Sequence, residues 1–189
     1  LAWLKARPIA HRGFHDVKRG IIENTASAFA AAIQADYAIE CDLQLAADGE
    51  AMVFHDDQLD RLTTAQGALL SRKSDELKTI AFKNTADRMM TLSELCDLVA
   101  GRVTLVIELK RHRDGDTRLV ARMAEILQGY AGPVAAMSFD PVLVSALRAS
   151  APGLPRGLVA EIRNPKDSGQ SGALSYLGEA LRSRPHFLA

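Results

Sequence analysis

The chain has 189 residues, of which 48% are hydrophobic, and its 23 basic and 23 acidic side chains give a net charge of zero. This composition fits one globular domain with a sizeable core, and it argues against a nucleic-acid-binding protein and against a disordered tail. The sequence has no apolar run of the ~18 residues that a membrane span needs, so we expect a cytoplasmic protein. The chain begins at Leu1, and whether a targeting segment precedes it is open.

The only two cysteines, Cys41 and Cys96, lie far apart in the sequence and lack CxxC spacing. This pattern gives neither a disulfide framework nor a zinc signature. We expect two buried free thiols.

Strand-like and helix-like segments alternate along the chain. Strand signals occur at 7–13, 38–43, 51–56, 103–110, 134–139, 157–160 and 187–189. Helices are predicted at about 26–35, from 92 onward behind a capping box formed by Thr91 and Glu94, at 117–127, from Pro141, and at 173–182. The polar segment 57–90 is expected to run irregularly over the surface, with one helical turn near 75–77.

Seven strands separated by right-handed crossovers predict either a doubly wound sheet or a (β/α)8 barrel. Because no glycine-rich phosphate loop follows a strand, the nucleotide-binding sheet is disfavoured. Polar residues instead follow the carboxyl ends of several strands, where a barrel gathers its active site. We therefore predict an α/β fold of the TIM (β/α)8 barrel type, as a single domain over 1–189 with an irregular insertion at about 57–90. A barrel has about 250 residues, so we expect the last strand and helix to be missing from this chain and to exist elsewhere or in a partner.

Three carboxylates form the first candidate site. Glu40 and Asp42 share one face of an otherwise apolar strand, and Glu108 ends the strand predicted at 103–110. Burying ionised carboxylates close together is costly unless a cation compensates them. An all-oxygen set favours Mg²⁺ or Ca²⁺, with Mn²⁺ as a further candidate. The alternative is that these acids are solvated at strand ends and paired with lysine or arginine.

Two histidines and two cations accompany these acids. His11 and His55 end separate predicted strands, and Arg12 and Lys110 lie next to the predicted site. Phosphodiester cleavage needs one group to accept a proton and another to donate one, and histidine can do either near neutral pH. Arg12 and Lys110 suit a bound phosphate. Asp56 either orients His55 or lies on the surface, whereas His15 and His112 are expected to be solvated loop residues.

The order and spacing of several motifs resemble the glycerophosphodiester phosphodiesterases. The motifs are His11-Arg12-Gly13, Glu23-Asn24-Thr25, Ala28-Phe29, Glu40-Cys41-Asp42, Asp48-Gly49, Val53-Phe54-His55-Asp56, Thr91-Leu92-Ser93-Glu94-Leu95, Ile107-Glu108-Leu109-Lys110 and Ser138-Phe139. The resemblance implies a TIM barrel that hydrolyses glycerophosphodiesters to sn-glycerol 3-phosphate and an alcohol with a divalent cation. It also implies that His11 and His55 are acid and base, that Glu40, Asp42 and Glu108 hold the metal, and that Arg12 and Lys110 contact phosphate.

Two departures from the family pattern qualify this resemblance. Ile22 stands where the family usually has a proline, and the chain ends before the last strand, which in the family carries an aromatic residue of the substrate pocket. Two other functions are therefore kept. One is a non-catalytic homologue that binds metal and phosphoesters, and the other is a lysophospholipase D-like phosphodiesterase. The expected partner is a small glycerophosphodiester rather than a nucleic acid, and the sequence indicates neither the head group nor the oligomeric state.

Overall fold

The computed structural model describes residues 1–112, 115–160, 178 and 180–189. Its sheet contains seven strands: β1 (Ile9–Ala10), β2 (Ala38–Leu45), β3 (Ala51–Val53), β4 (Leu105–Leu109), β5 (Val134–Ser138), β6 (Arg156–Leu158) and β7 (Phe187–Leu188). Six of them are parallel, in the order β1-β2-β4-β5-β6-β7. Because each parallel strand lies beside the next one along the chain, with no reversal of order, the sheet is part of a TIM-type barrel and not a doubly wound sheet.

The strand β3 pairs antiparallel with β2, with Leu43 opposite Val53 and Leu45 opposite Ala51. Its expected place as a parallel strand of the barrel was wrong. Only residues 46–50 connect β2 to β3, and a parallel crossover needs a dozen residues or more, whereas a short turn suffices for a hairpin. β3 therefore folds back along β2 and returns the chain toward the middle of that strand.

Residues 178 and 180–183 are helical, and five further α-helices are described over their full length. They are α1 (Ala26–Gln34), α2 (Ser74–Thr79), α3 (Leu92–Val99), α4 (Arg118–Leu127) and α5 (Pro141–Ser150). The predicted capping box is present, since Thr91 accepts a hydrogen bond from the Glu94 backbone and the Glu94 side chain accepts one from that of Thr91. Most of the helix predicted at 173–182 lies outside the described residues. No helix among those described has the length and apolar character needed to cross a membrane.

The two faces of the central strands have different environments. On β2, the outward residues Ile39, Cys41 and Leu43 pack into the main core beneath the helices. Both cysteines are buried and free, as predicted. On the inner face, a smaller cluster that includes Val106 closes the bottom of the barrel, where Trp3 packs against it. The upper part of the inner face carries the charged residues described below.

The segment 57–90 has a hydrophobic core of its own, which the prediction of a surface excursion missed. Residues from this segment bury apolar side chains together with Met52 and Phe54 from the β3 region. These residues are Leu59, Leu69, Leu77, Phe82 and Met89. The segment thus packs against Met52 and Phe54, which lie just before His55 in the chain. This packing defines the position of the segment relative to His55.

Candidate functional site

The three predicted acids meet on the inner face of the sheet. β2 and β4 are adjacent parallel strands, and Asp42 lies opposite Glu108 in their register. Glu40 lies two residues before Asp42, on the same face of β2. All three side chains are buried, and ligand oxygens of the three lie within 4.8 Å of one another. The structure therefore brings together acids that are 68 residues apart in the sequence, from Glu40 to Glu108.

Two cations partly compensate this acidic cluster. Lys110 Nζ lies 2.9 Å from Asp42 Oδ1 and also contacts Glu108. Arg12 Nε lies 3.4 Å from Asp42 Oδ2, and the Arg12 backbone N–H donates to Glu40 Oε2 at 2.9 Å. The alternative, in which these acids pair with lysine or arginine, is therefore confirmed in part. If all three carboxylates are ionised, they exceed the two cations by one negative charge.

Glu40 carries the observation that points to a metal ion. Its Oε1 atom is buried and has no hydrogen-bond partner among the described residues. Burial, and then the charge of Asp42, raises the pKa of Glu40 to about 8. A cation bound to the unpartnered oxygen would stabilise the ionised form of this buried carboxyl group. The all-oxygen donor set of Glu40, Asp42 and Glu108 therefore fits a hard divalent cation.

The turn after β1 places His11 and Arg12 at the edge of this cluster. Arg12 has a φ of 57°, and Gly13 follows with a φ of 82°. A Cβ at Gly13 would lie 2.8 Å from the Cβ of Ala28, so the turn packs directly on α1. His11 Nε2 lies 3.9 Å from Glu40 Oε2, and burial, followed by the charge of Arg12, lowers the pKa of His11. Its side chain is 68% exposed, which leaves the ring accessible to a ligand.

His55 reaches the same region through the β2–β3 hairpin. Its neighbour Phe54 donates a backbone hydrogen bond to the carbonyl of Asp42, at 3.1 Å. The buried side chain of Gln44, on the same face of β2 as Asp42, donates to the carbonyl of His55 at 2.8 Å. His55 Nδ1 lies 2.7 Å from Asp56 Oδ1. Because a carboxylate can only accept, Nδ1 carries the proton, and Asp56 orients the ring.

Some residues around the site were missed or misread from the sequence. Asn24 was named only as part of a motif, without a role in the site, but its Nδ2 donates to Asp42 Oδ2 at 2.9 Å. Thr25, the N-cap residue of α1, makes no side-chain cap bond. His112 was expected to be solvated, yet its Nε2 accepts a hydrogen bond from the Leu45 backbone at 2.8 Å. His15 is exposed, as expected. The buried Asn24 has a φ of 56°, which is uncommon for a residue other than glycine. This angle can be seen only in the structure.

Comparison with known proteins agrees with this geometry. The model of the glycerophosphoryl diester phosphodiesterase family matches residues 11–182, which is most of the chain. The chain therefore belongs to the glycerophosphoryl diester phosphodiesterase family.

Individual relatives are similar to this chain in sequence, and solved structures are similar to it in fold. A glycerophosphodiester phosphodiesterase of Caldanaerobacter subterraneus subsp. tengcongensis is 35% identical over 116 residues, covering 57% of this chain and 46% of that protein. A phosphodiesterase of Oleispira antarctica, solved in complex with the product sn-glycerol-3-phosphate, has a TM-score of 0.80 at 23% identity, covering 96% of this chain and 73% of that one. A glycerophosphodiester phosphodiesterase of Thermotoga maritima has a TM-score of 0.71 at 25% identity, covering 95% and 71%. The match spans about half the length of the curated relative.

Proposed function

We propose that this chain hydrolyses glycerophosphodiesters to sn-glycerol 3-phosphate and an alcohol, with a divalent cation bound by Glu40, Asp42 and Glu108. The observation that carries the proposal is the buried cluster of these three carboxylates, with His11 beside it and His55 in the adjacent hairpin. Family membership supports the substrate class. The complex of the Oleispira antarctica protein with sn-glycerol-3-phosphate concerns a protein of the same fold and is consistent with that class.

The metal-binding residues would be Glu40, Asp42 and Glu108, with open positions left for a substrate oxygen. A divalent cation bound there would polarise the phosphoryl oxygens and offset the excess negative charge of the site. Arg12 and Lys110 would contribute the remaining positive charge toward the phosphate. Both cations already contact the carboxylates, so their positions are fixed before substrate binds.

The histidines would move the protons. In the net hydrolysis, a water oxygen forms a bond to phosphorus, and the bond from phosphorus to the leaving alcohol oxygen breaks. The water loses a proton, and the departing alkoxide gains one. His55 fits the base, because its Nδ1 proton is held by Asp56 and its Nε2 is left as an acceptor. His11, which is accessible at the end of β1, would serve the leaving alcohol. Because its pKa is lowered, His11 must first take up a proton, which it then gives up readily to the departing oxygen.

A lysophospholipase D-like activity is the second candidate, and one observation favours it. Phe139 follows the carboxyl end of β5 and is 46% exposed, whereas Phe14, after β1, packs edge-to-face on Tyr37 next to the amino end of β2. An exposed aromatic residue at the rim of a barrel could contact an acyl chain as well as a small head group. The third candidate, a metal- and phosphoester-binding protein without turnover, is tested by the same assay.

The proposal is tested by product release after chelation. The protein is freed of metal, and Mg²⁺, Ca²⁺ or Mn²⁺ is added back. Release of sn-glycerol 3-phosphate is measured from glycerophosphocholine, glycerophosphoethanolamine and glycerophosphoglycerol, and release of lysophosphatidic acid is measured from lysophosphatidylcholine. We expect cation-dependent release from the water-soluble diesters. Hydrolysis confined to lysophosphatidylcholine would favour the second candidate. Cation binding without turnover on any substrate would contradict the enzymatic function.

A further inference from the structure

Arg61 lies in the segment 57–90 and joins two acids from different parts of the chain. Its Nε and Nη2 donate to the two oxygens of Asp56, at 2.6 and 2.9 Å. Its Nη1 and Nη2 donate to the two oxygens of Glu23, at 3.0 and 2.7 Å. The guanidinium group thus makes a bidentate contact with each carboxylate, a geometry that a lysine cannot reproduce.

Each of these acids holds one of the proposed active-site groups. Asp56 Oδ1 accepts the proton of His55 Nδ1 at 2.7 Å. Glu23 Oε1 accepts a hydrogen bond from Arg12 Nη1 at 2.8 Å. A continuous series of hydrogen bonds therefore runs from Arg12 through Glu23, Arg61 and Asp56 to His55. It connects the turn after β1 with the loop after β3.

Both acids are charged in this network at neutral pH. Although burial alone would raise it, the hydrogen bonds from Arg61 and Arg12 lower the pKa of Glu23 to about 2. Burial also opposes ionisation of Asp56, and hydrogen bonds from Arg61 and His55 outweigh it and lower the pKa of Asp56. The Arg61 side chain is 46% exposed, so solvent screens its ion pairs and reduces what they add to the stability of the fold. The bidentate geometry toward both acids also fixes their orientation.

We propose that Arg61 is a positioning residue that fixes the ring of His55 through Asp56 and the guanidinium of Arg12 through Glu23. This inference rests on the proposed function for its catalytic consequence, but its structural content is independent of turnover. Without Arg61, the Asp56 carboxylate loses its bidentate partner and can rotate away from Nδ1. The His55 ring would then exchange between its two neutral tautomers, and only one of them leaves Nε2 free to accept a proton.

The direct test is the ¹⁵N NMR spectrum of the His55 imidazole in the folded protein. We expect the unmodified chain to show Nδ1 protonated and Nε2 unprotonated, and R61Q to move both nitrogen shifts toward the average of two tautomers. R61K keeps the positive charge but cannot make the two bidentate contacts, so we expect nitrogen shifts between those of the unmodified chain and those of R61Q. R61K replaces R61Q in the test if R61Q does not fold. The matched control is R72Q, because Arg72 lies in the same segment and contacts Glu76 instead of the site. Unchanged His55 shifts in folded R61Q or R61K would overturn the proposal, as would equal changes in R72Q.

Turnover provides a second, separable readout. We expect R61Q to lower kcat at least tenfold with less effect on KM. When His55 is already alanine, we expect R61Q to lower kcat by a smaller factor, because only the effect through Glu23 and Arg12 remains. If R61Q lowers kcat by the same factor with His55 present and with His55 replaced by alanine, Arg61 does not act through His55. If the unmodified chain has no phosphodiesterase activity, the proposed function fails, and the NMR spectra still decide whether Arg61 positions His55.

Discussion

Asp42 is the most constrained group of the site at the scale of single residues. Its carboxylate accepts from Asn24 and lies close to both Arg12 and Lys110. Asp42 Oδ1 makes no hydrogen bond among the described residues, but Lys110 Nζ lies 2.9 Å from it. Glu40 Oε1, two residues earlier on the same strand face, has neither a hydrogen bond nor an ion pair among those residues. The two acids are therefore not equivalent. Asp42 is held in place by the protein, and Glu40 retains the free oxygen on which a cation would act.

Replacing either proposed proton-transfer residue should remove most of the activity. We expect H11A and H55A each to lower kcat at least a hundredfold, because one positioned general acid or base typically contributes 10² to 10⁴ in rate. The measurement is the rate of sn-glycerol 3-phosphate release, accompanied by the thermal unfolding midpoint of each variant. Near-normal rates in a folded variant would contradict the assignment of that histidine.

The ionisation of Glu23 should appear in the acid stability of the protein. Its folded pKa of about 2 lies below its ordinary value of 4.5. The Glu23 carboxylate therefore stabilises the folded state above pH 4.5 and loses this effect as the pH falls toward 2. We expect E23Q to lower the urea midpoint at pH 7, with a difference from the unmodified chain that shrinks between pH 4.5 and the acid limit of folding. A difference that is constant over this range would show that the charge of Glu23 is not responsible.

The identities of the site residues could be predicted from the sequence because their types are unusual in their context. Acids in the apolar stretches around Glu40, Asp42 and Glu108, and histidines at strand ends, all indicate chemistry. Asn24 and Arg61 could not be identified in this way. Each lies in a polar loop where its residue type is ordinary, and its importance arises only from partners that are distant in the sequence.

At the scale of secondary-structure elements, the pairing of β2 with β4 creates the metal-binding geometry. Their parallel register sets Asp42 against Glu108 and Glu40 against Val106. The alternation of strand side chains then directs the acids inward and the apolar residues Cys41 and Ile107 toward the helices. A shift of one residue in this register would turn the acids into the main core, where no cation could reach them.

The helix α3, which precedes β4, is stabilised by its capping box. We expect T91A to destabilise the protein by about 1 kcal/mol, because the backbone N–H of Glu94 loses its acceptor and the reciprocal arrangement is broken. The matched control is S93A, which alters an exposed hydroxyl in the same turn. Urea denaturation at neutral pH measures both variants. Equal losses in the two variants would contradict the assignment of the effect to the cap.

The antiparallel direction of β3 could not be predicted from the pattern of apolar residues. Its residues were correctly predicted to be extended, but apolar periodicity does not distinguish a parallel strand from the return strand of a hairpin. The length of the connection does, since residues 46–50 are too few for a crossover. This detail has a functional consequence, because the hairpin is what returns His55 to the level of Asp42.

At the scale of the whole molecule, the barrel interior is divided into an apolar floor and a charged upper layer. Trp3 and Val106 belong to the floor, and the three carboxylates with Lys110 lie above it. The segment 57–90 supplies a second core and carries Arg61 to the edge of the charged layer. The sequence alone indicated the barrel and its charged end, but the second core depends on scattered apolar residues without a regular period.

The most direct test of the account is an anomalous difference map from crystals of the chain grown or soaked with Mn²⁺. We expect one peak coordinated jointly by carboxylate oxygens of Glu40, Asp42 and Glu108, and we expect this peak to be lost in E40Q. A peak elsewhere, or none among these three side chains at saturating Mn²⁺, would contradict the proposed metal site.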